Sequence, residues 1–247
     1  MPKKYKAEKI LPYQEDGSKT SQIKRMFDSI AHSYDALNKM LSLGIDRIWR
    51  ANAMRALKPY APQQMLDVAT GTGDLAILAA QRLKPEHIVG VDLSPGMLAV
   101  GQGKVDKAGL NGIVSMACED CMQLSFADNT FDAITVAFGV RNFERLAQGY
   151  AEMYRVLKPG GVLLVLELST PERTPMKQLY QFYSATVIPF VGRLVSKDRS
   201  AYDYLNKSVK VVPQGEEMAD IFRQVGFKQV HFERYTFGIC TNYMGVK

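Results

Sequence analysis

The sequence predicts an α/β protein built on a doubly wound parallel sheet. Apolar, strand-like segments alternate with segments of helical spacing from residue 64 to residue 169, and this alternation is typical of such a sheet. A glycine turn, Gly71-Thr72-Gly73, directly follows the first of these strands. The 247 residues, 47% hydrophobic and 23% charged, suffice for one domain of this kind with a full core.

The chain begins with a polar segment and continues with a helical one. Residues 1–19 contain the basic stretch MPKKYKAEK together with Pro12 and Gly17, so we expect a flexible basic tail. In residues 20–60 apolar side chains recur at helical spacing, which predicts two or three short helices. We expect residues 20–247 to form one domain.

The middle of the chain supplies the sheet. Strands are predicted at residues 64–70, 87–94, 112–120, 131–140 and 162–169, and helices at residues 74–83, 95–109 and 145–157. Ser94 is a good N-cap and Pro95 suits the first helical position. The tripeptide Pro159-Gly160-Gly161 is expected to end the third of these helices.

The last third of the chain departs from this alternation. Residues 170–212 are rich in aromatic side chains and prolines, and we interpret them as a lid insertion. A helix is predicted at 215–226 and a terminal hairpin at 227–246.

Composition limits the classes of function. The net charge of +6 is compatible with nucleic acid, with an anionic membrane surface, or with solubility alone. The basic residues are spread out, which disfavours a nucleic-acid groove. The longest stretch without a charge, residues 178–192, is shorter than the roughly 20 residues that span a bilayer. Three cysteines and the lack of an apolar leader lead us to expect a cytoplasmic protein.

The glycine turn fits two classes of nucleotide ligand. Together with Ala76 it satisfies the G-x-G-x-x-[GA] fingerprint of a dinucleotide pocket. In such a pocket the pyrophosphate rests on the helix N-terminus, where Asp74 would repel it. S-adenosylmethionine carries a sulfonium and an ammonium but no phosphate, so we expect it as the ligand. A nicotinamide or flavin enzyme is the alternative.

Three further carboxylates support the cationic ligand. Asp67 lies within the first predicted strand, Asp92 near the end of the second and Asp120 at the end of the third. Ligands of open α/β sheets bind at these carboxyl ends, and an acid about 20 residues after the turn holds ribose hydroxyls. We assign that role to Asp92 and an adenine contact to Asp120.

Three stretches carry a resemblance to a known family. YDALNKMLSLGIDRIW (34–49), FGVRNF (138–143) and RVLKPGGVLLVLELS (155–169) resemble signatures of the ubiquinone/menaquinone biosynthesis C-methyltransferase family. Two departures are Asp46, where many members have histidine, and Ala137, where members can have serine. We therefore do not assign the role of that histidine to Asp46 or the role of that serine to Ala137.

The resemblance implies a fold, a cofactor and a reaction. The fold is a seven-stranded, mostly parallel, Rossmann-like sheet of the class I S-adenosylmethionine-dependent methyltransferases. The reaction is C-methylation of a polyprenylated hydroquinone, with demethylmenaquinol favoured and a 2-polyprenyl-6-methoxy-1,4-benzoquinol as the alternative. A homodimer is a further expectation from the family. By matching positions, the residues that contact the cofactor or form its turn are Gly71, Thr72, Gly73, Asp74, Asp92, Asp120 and Cys121.

The chemistry of a hydroquinone suggests the remaining site residues. A phenol titrates near pH 10, so the site must favour its ionised form, and Arg141 is placed to stabilise that charge. Proton relay is assigned to Tyr34, Asp35 or His32. We expect substrate contacts from Asn142, Glu167 and Tyr183. No metal site is expected, because Cys118-x-x-Cys121 has only Cys240 and no clustered histidine beside it.

The apolar part of the lid suits a hydrophobic substrate. The stretch LYQFYSATVIPFVGRLV (179–195) is bounded by Lys177, Arg193 and Lys197, and we expect it to cover the prenyl tail and touch the bilayer. The alternative is an amphipathic helix packed on the sheet.

Two other functions are weighed against this one. A nucleic-acid methyltransferase would place a D/N-P-P-Y/F/W motif or a Pro-Cys nucleophile in its site, whereas this chain has AFGVRN after the fourth strand and no Pro-Cys. The sequence does not exclude the other alternative, a non-catalytic module that binds S-adenosylmethionine.

Overall fold

A single twisted sheet organises the protein. The computed structural model describes residues 5–195 and 200–247, with side chains described outside residues 188–199. Within these ranges the strands are β1 Gln64–Val68, β2 His87–Asp92, β3 Val114–Cys118, β4 Phe131–Ala137, β5 Leu157–Leu168, β6 Lys228–Tyr235 and β7 Cys240–Val246. Their order in the sheet is β3-β2-β1-β4-β5-β7-β6.

The first five strands are parallel, and the terminal hairpin is antiparallel. Each neighbouring pair among β1–β5 runs in the same direction, whereas β7 pairs antiparallel with both β5 and β6. The predicted seven-stranded, mostly parallel, doubly wound sheet with a terminal hairpin is therefore confirmed. The strand order reverses between β1 and β4, and such a switch point is where open α/β sheets bind ligands.

The helices cover both faces of the sheet. In the described part of the chain they are α1 Lys19–Ile30, α2 Tyr34–Ser42, α3 Asp46–Leu57, α4 Asp74–Leu83, α5 Pro95–Lys107, α6 Leu146–Val156, α7 Met176–Val195, α8 Ser200–Val211 and α9 Glu216–Val225. Ser94 caps α5 as predicted, since its side chain accepts a hydrogen bond from the Met97 backbone.

Two apolar layers hold the sheet between the helices. On one face, β1 and β4 pack against α3 and α4 through residues such as Met65 and Trp49. On the other, Leu66 belongs to a cluster that includes Tyr150 of α6 and Phe222 of α9. Because side chains alternate along a strand, Asp67 points to the same face as Met65, towards α3 and α4.

The structure differs from two expectations about local structure. Tyr5 and Ala7 are buried in the core, so this part of the predicted tail packs against the domain, whereas residues 14–18 are exposed. Residues 1–4 lie outside the described ranges. The segment Lys158–Gly161 is not a free turn after α6, because β5 already begins at Leu157 and a register shift against β4 accommodates the extra residues. The burial of Tyr5 and Ala7 was not predicted, because isolated apolar residues in a polar segment show no periodicity.

The lid consists of helices. Residues 176–195 form α7 and residues 200–211 form α8. The Tyr183 hydroxyl donates to the carbonyl of Leu41 in α2, so α7 packs on the N-terminal helices and not flat on the sheet. Lys197 lies outside the described residues, as does the side chain of Arg193.

Candidate active site

The glycine turn leaves open space above it. Gly71 and Gly73 have φ of +56° and +77°, a conformation that glycine adopts without steric cost. A Cβ on Gly71 would meet no atom within 4 Å, whereas a Cβ on Gly139 would lie 2.6 Å from that of Ala69. The loops after β1 and β4 therefore touch each other below a space that can receive a ligand.

Asp92 fixes the glycine turn from the neighbouring strand. The backbone N–H of Gly71 donates to its Oδ2 at 2.9 Å, and that of Ser94 donates to its Oδ1 at 2.9 Å. Burial raises the pKa of Asp92 despite these hydrogen bonds. The carboxylate thus lies at the edge of the space above Gly71, where a ribose is expected.

Asp67 is a buried acid beneath the turn. Its side chain is 1% exposed and accepts from the hydroxyls of Thr70 and Thr135 at 2.6 and 2.5 Å. Burial raises its pKa to about 6. Burying a carboxylate is unfavourable unless a partner compensates it, and Asp67 lines a small cavity together with Gly71 and Thr72. A cationic ligand in this cavity would compensate it.

A larger pocket extends from Gly71 and Asp92 to the loop after β3. It holds about 620 Å³ of unfilled space, including its open mouth, and its walls include Val91, Met97 and Phe143. The Asn142 Oδ1 atom is buried without a hydrogen-bond partner among the described residues, and this residue also lines the pocket. Apolar walls, an acid at the edge and an unused amide oxygen fit a nucleoside, so we call this space the donor pocket.

The loop after β3 places a different acid than expected at the donor pocket. Cys121 and Glu119 line the pocket, whereas Asp120 is not among its lining residues. The Asp120 side chain accepts from the Met122 backbone at 2.9 Å and stabilises the loop. Sequence reasoning missed Glu119, although it directly follows the last residue of β3.

Asp74 and Asp35 belong to a compensated charge cluster. The Lys104 ammonium donates to Asp74 and, at 2.7 Å, to Asp35. Thr72 donates its hydroxyl to Asp35 at 2.6 Å, and an Arg50 nitrogen lies 3.8 Å from Asp74. Repulsion of a diphosphate by Asp74 is therefore weaker than the sequence suggested, because Lys104 is its partner, although Lys104 is shared with Asp35. Asp35 is likewise engaged and is not a free proton acceptor.

Arg141 is buried in an ion pair at the end of β4. It lies in a short 3-10 turn, residues 140–142, and its Nη1 donates to Glu167 Oε1 at 2.7 Å and to the Phe138 carbonyl. The Arg141 and Glu167 side chains are 7% and 2% exposed. Among the described residues, no partner accepts from the buried Nε of Arg141. This arginine therefore keeps a donor free.

A second cavity adjoins Arg141 and contains mostly apolar and aromatic side chains. It holds about 670 Å³ of unfilled space with its mouth, and Trp49, Tyr180, Tyr183 and Leu205 are among its lining residues. We call it the acceptor cavity. Sequence reasoning missed Trp49 and Tyr180 as site residues. Burial raises the pKa of Tyr180 to about 12.

Tyr34 and Phe138 form the wall between the two spaces. Both residues line the donor pocket and also the acceptor cavity. The donor pocket and the acceptor cavity are therefore neighbours that meet at these two rings.

Not every expected residue reaches this region. His32 is exposed and lines neither the donor pocket nor the acceptor cavity. Asn142 faces the donor pocket and a small cavity beside Arg141, and Tyr183 faces the acceptor cavity. Asp46 also lines the acceptor cavity, where it accepts from Ser42 at 2.5 Å and pairs with Arg50.

Comparisons with known proteins identify the family. The model of the ubiE/COQ5 methyltransferase family matches residues 15–247. A demethylmenaquinone methyltransferase of Bacteroides fragilis is 59% identical over 98% of this chain and 99% of its own length. One from Porphyromonas gingivalis is 46% identical over 97% and 98%. A ubiquinone/menaquinone biosynthesis C-methyltransferase of Geobacter sulfurreducens is 44% identical over 93% and 90%.

Solved structures support the fold. The [4+2]-cyclase SpnF superposes with a TM-score of 0.67 at 19% identity, covering 92% of this chain and 96% of its own. A S-adenosylmethionine-dependent methyltransferase of Thermotoga maritima, a possible histamine N-methyltransferase, gives 0.62 at 18% identity, covering 90% and 99%. These likenesses confirm the expected class I methyltransferase fold.

Proposed function

The chain belongs to the ubiE/COQ5 methyltransferase family, and we propose that it methylates a ring carbon of demethylmenaquinol, giving menaquinol. Membership confirms the prediction of an S-adenosylmethionine-dependent methyltransferase. The acceptor is proposed because relatives named demethylmenaquinone methyltransferase are 59% and 46% identical to this chain. The observation that carries the proposal is that Tyr34 and Phe138 line both the donor pocket, which has Asp92 at its edge, and the mostly apolar and aromatic acceptor cavity.

The donor pocket suits the methyl donor. When bound, S-adenosylmethionine supplies an electrophilic sulfonium methyl group. We assign its ribose to Asp92, its cationic portion to the region of Asp67 and Gly71, and its adenine to the apolar space near Glu119 and Cys121. The buried carboxylates favour a positively charged ligand without phosphates.

The acceptor cavity supplies the second half of the chemistry. The quinol must lose a hydroxyl proton so that electron density reaches the ring carbon. Arg141 stabilises the resulting phenolate, since its free Nε donor and its fixed position beside Glu167 provide a pre-organised charge. The ring carbon of this phenolate would accept the methyl group that S-adenosylmethionine supplies. The hydrogen on that carbon leaves as a proton, which restores the aromatic ring.

Tyr34 is the best-placed proton relay of the three candidates. It faces both spaces, whereas Asp35 is held by Lys104 and His32 lies outside. Relay through water from Tyr34 to solvent is compatible with general acid–base catalysis. Holding donor and acceptor on either side of this ring supplies further acceleration through proximity.

The experiment that tests this proposal offers two acceptors to the purified protein. We expect methylated product, detected by mass spectrometry, from demethylmenaquinol with S-adenosylmethionine. Turnover with a 2-polyprenyl-6-methoxy-1,4-benzoquinol at an equal or higher rate would contradict the naphthoquinol assignment. In a deletion strain, demethylmenaquinone should accumulate.

A polyprenylated acceptor resides in the bilayer, so we propose that the enzyme works at the inner face of the cytoplasmic membrane as a peripheral protein. Of the helices in residues 5–195 and 200–247, none has the length and apolar character required to cross a bilayer. A homodimer stays a prediction from the family.

A further inference from the structure

Four large apolar side chains are exposed on or beside the elements that line the acceptor cavity. Leu43 is 79% exposed, Leu179 58%, Phe182 68% and Phe237 78%. They lie on three separate elements: the α2–α3 turn, α7, and the turn between β6 and β7. We call these four side chains the apolar mouth.

Each of the four is close in sequence to a residue that lines the acceptor cavity. Ser42 precedes Leu43, Tyr180 follows Leu179, Tyr183 follows Phe182, and Ile239 lies two residues after Phe237; all four of these neighbours are lining residues. The exposed side chains therefore lie on or next to the segments that line the cavity.

Long-range hydrogen bonds hold the three elements together. The Tyr183 hydroxyl donates to the Leu41 carbonyl and joins α7 to α2. Trp49 Nε1 donates to Thr236 Oγ1 at 2.7 Å and joins α3 to the β6–β7 turn. That turn lies at the carboxyl ends of the parallel strands, because β7 begins at Cys240 opposite Leu168, the last residue of β5.

Two of the four residues occupy an unfavourable backbone conformation. Leu43 has φ of +52° and Phe237 has φ of +56°, values that glycine or asparagine adopt at lower cost. At Leu43, the C-cap of α2, hydrogen bonds from its backbone N–H to the carbonyls of Lys39 and Met40 stabilise this conformation. Both side chains are exposed, so packing within the protein does not explain why leucine and phenylalanine occupy these positions.

The charges around the apolar mouth point to an anionic surface. Lys39, Arg47, Arg173 and Lys177 are exposed on the same elements or beside them. Two exposed acids lie near the apolar mouth in sequence. Glu172 is paired with Arg234, and Glu233 lies four residues before Phe237. Exposed basic residues next to inserted apolar side chains are typical of proteins that bind anionic lipid.

From these observations we infer that the apolar mouth inserts into an anionic bilayer, so that the acceptor cavity opens directly into the lipid. The inference rests on the proposed function, because a polyprenyl chain is what makes such an opening useful. The headgroups then contact the lysines and arginines around the mouth, and the prenylated quinol enters without crossing water.

Flotation with vesicles tests this inference. The protein is mixed with vesicles of phosphatidylcholine containing about one third phosphatidylglycerol, a composition that attracts basic surfaces. The variant Leu43→Asn/Phe237→Asn should lower the bound fraction by tenfold or more, since two apolar anchors are lost. Asparagine tolerates positive φ, so this variant retains its fold. Tyr60→Ser is the control, because Tyr60 is 39% exposed and precedes β1 at the opposite edge of the sheet.

Activity separates this inference from the proposed function. The double variant should methylate a short-chain, water-soluble demethylmenaquinol analogue like the wild type, and should lose activity on the polyprenyl form in vesicles. Failure of the wild type to float, or equal flotation of the double variant, overturns the inference. A double variant that changes only the oligomeric state in light scattering also overturns it, since the mouth would then be an interface between two copies. A wild type that floats but methylates neither quinol refutes the proposed function instead.

Discussion

The substitution Asp67→Asn should make the protein more stable at pH 8 and weaken its binding of S-adenosylmethionine. Burial raises the pKa of Asp67 from 3.8 to about 6, a shift of about 2 units at about 1.4 kcal/mol each. Because the folded pKa lies above the unfolded one, this acid stabilises the fold below pH 3.8, and that contribution is lost as the pH rises through 6. At pH 8 the ionised carboxylate therefore costs about 3 kcal/mol.

The asparagine does not titrate, but it accepts fewer hydrogen bonds. Its amide nitrogen cannot accept from Thr70 or Thr135, and losing one such bond costs about 1 kcal/mol. We therefore expect Asp67→Asn to be more stable than the wild type by about 2 kcal/mol at pH 8 and less stable by about 1 kcal/mol near pH 4. Urea unfolding from pH 4 to 8.5 without cofactor measures this crossing.

Cofactor binding gives the second readout for this substitution. Loss of the carboxylate should weaken S-adenosylmethionine at least tenfold, in a calorimetric titration at pH 8. Asp132→Asn is the control, because Asp132 pairs with Lys158 and accepts from the Gln64 backbone at the opposite edge of the sheet; it should reduce stability and leave binding unchanged. Unchanged affinity together with lower stability of Asp67→Asn at pH 8 would refute the role given to this acid.

Three further predictions test other parts of the site. Arg141→Gln should reduce turnover at least a hundredfold and leave the affinity for S-adenosylmethionine unchanged. Arg155→Gln, far from both cavities, is the control. An equal loss of turnover in the two variants would refute the role of Arg141. Gly71→Ala should lower the free energy of unfolding by about 1 kcal/mol through its positive φ and abolish cofactor binding in calorimetry. The control Gly103→Ala, in open space within α5, should raise the free energy of unfolding by about 0.5–1 kcal/mol. Retained binding by Gly71→Ala would show that the cofactor does not occupy the space above the turn. Burial lowers the pKa of Lys19 to about 7. Raising the pH from 7 to 9 should therefore stabilise the wild type relative to Lys19→Met by about 2 kcal/mol. If urea unfolding gives the same difference in stability between the two proteins at pH 7 and pH 9, this prediction is wrong.

The sequence predicted those features that depend on local patterns. The strand and helix order, the Ser94 cap and the terminal hairpin are encoded by periodicity and capping residues, and the structure confirms them. The glycine turn and Asp92 were predicted at the carboxyl edge of the sheet because a motif with fixed spacing defines them, and the structure has them at that edge.

Features that depend on distant partners could not be predicted. The charge of Asp74 is compensated by Lys104, 30 residues away, and no local pattern connects the two. The same holds for Lys19, which donates to the Arg141 carbonyl 122 residues further along the chain. Glu119 was missed because a strand boundary predicted two residues too late moves the expected site residue to Asp120.

A pair of calorimetric titrations tests whether the buried carboxylates select a cationic nucleoside without phosphates. The wild-type protein is titrated with S-adenosylmethionine and with NAD⁺ under identical conditions. We expect saturable binding at one site for S-adenosylmethionine and no binding of NAD⁺ at the same concentrations. Binding of NAD⁺ at equal or higher affinity, lost in Gly71→Ala, would contradict it.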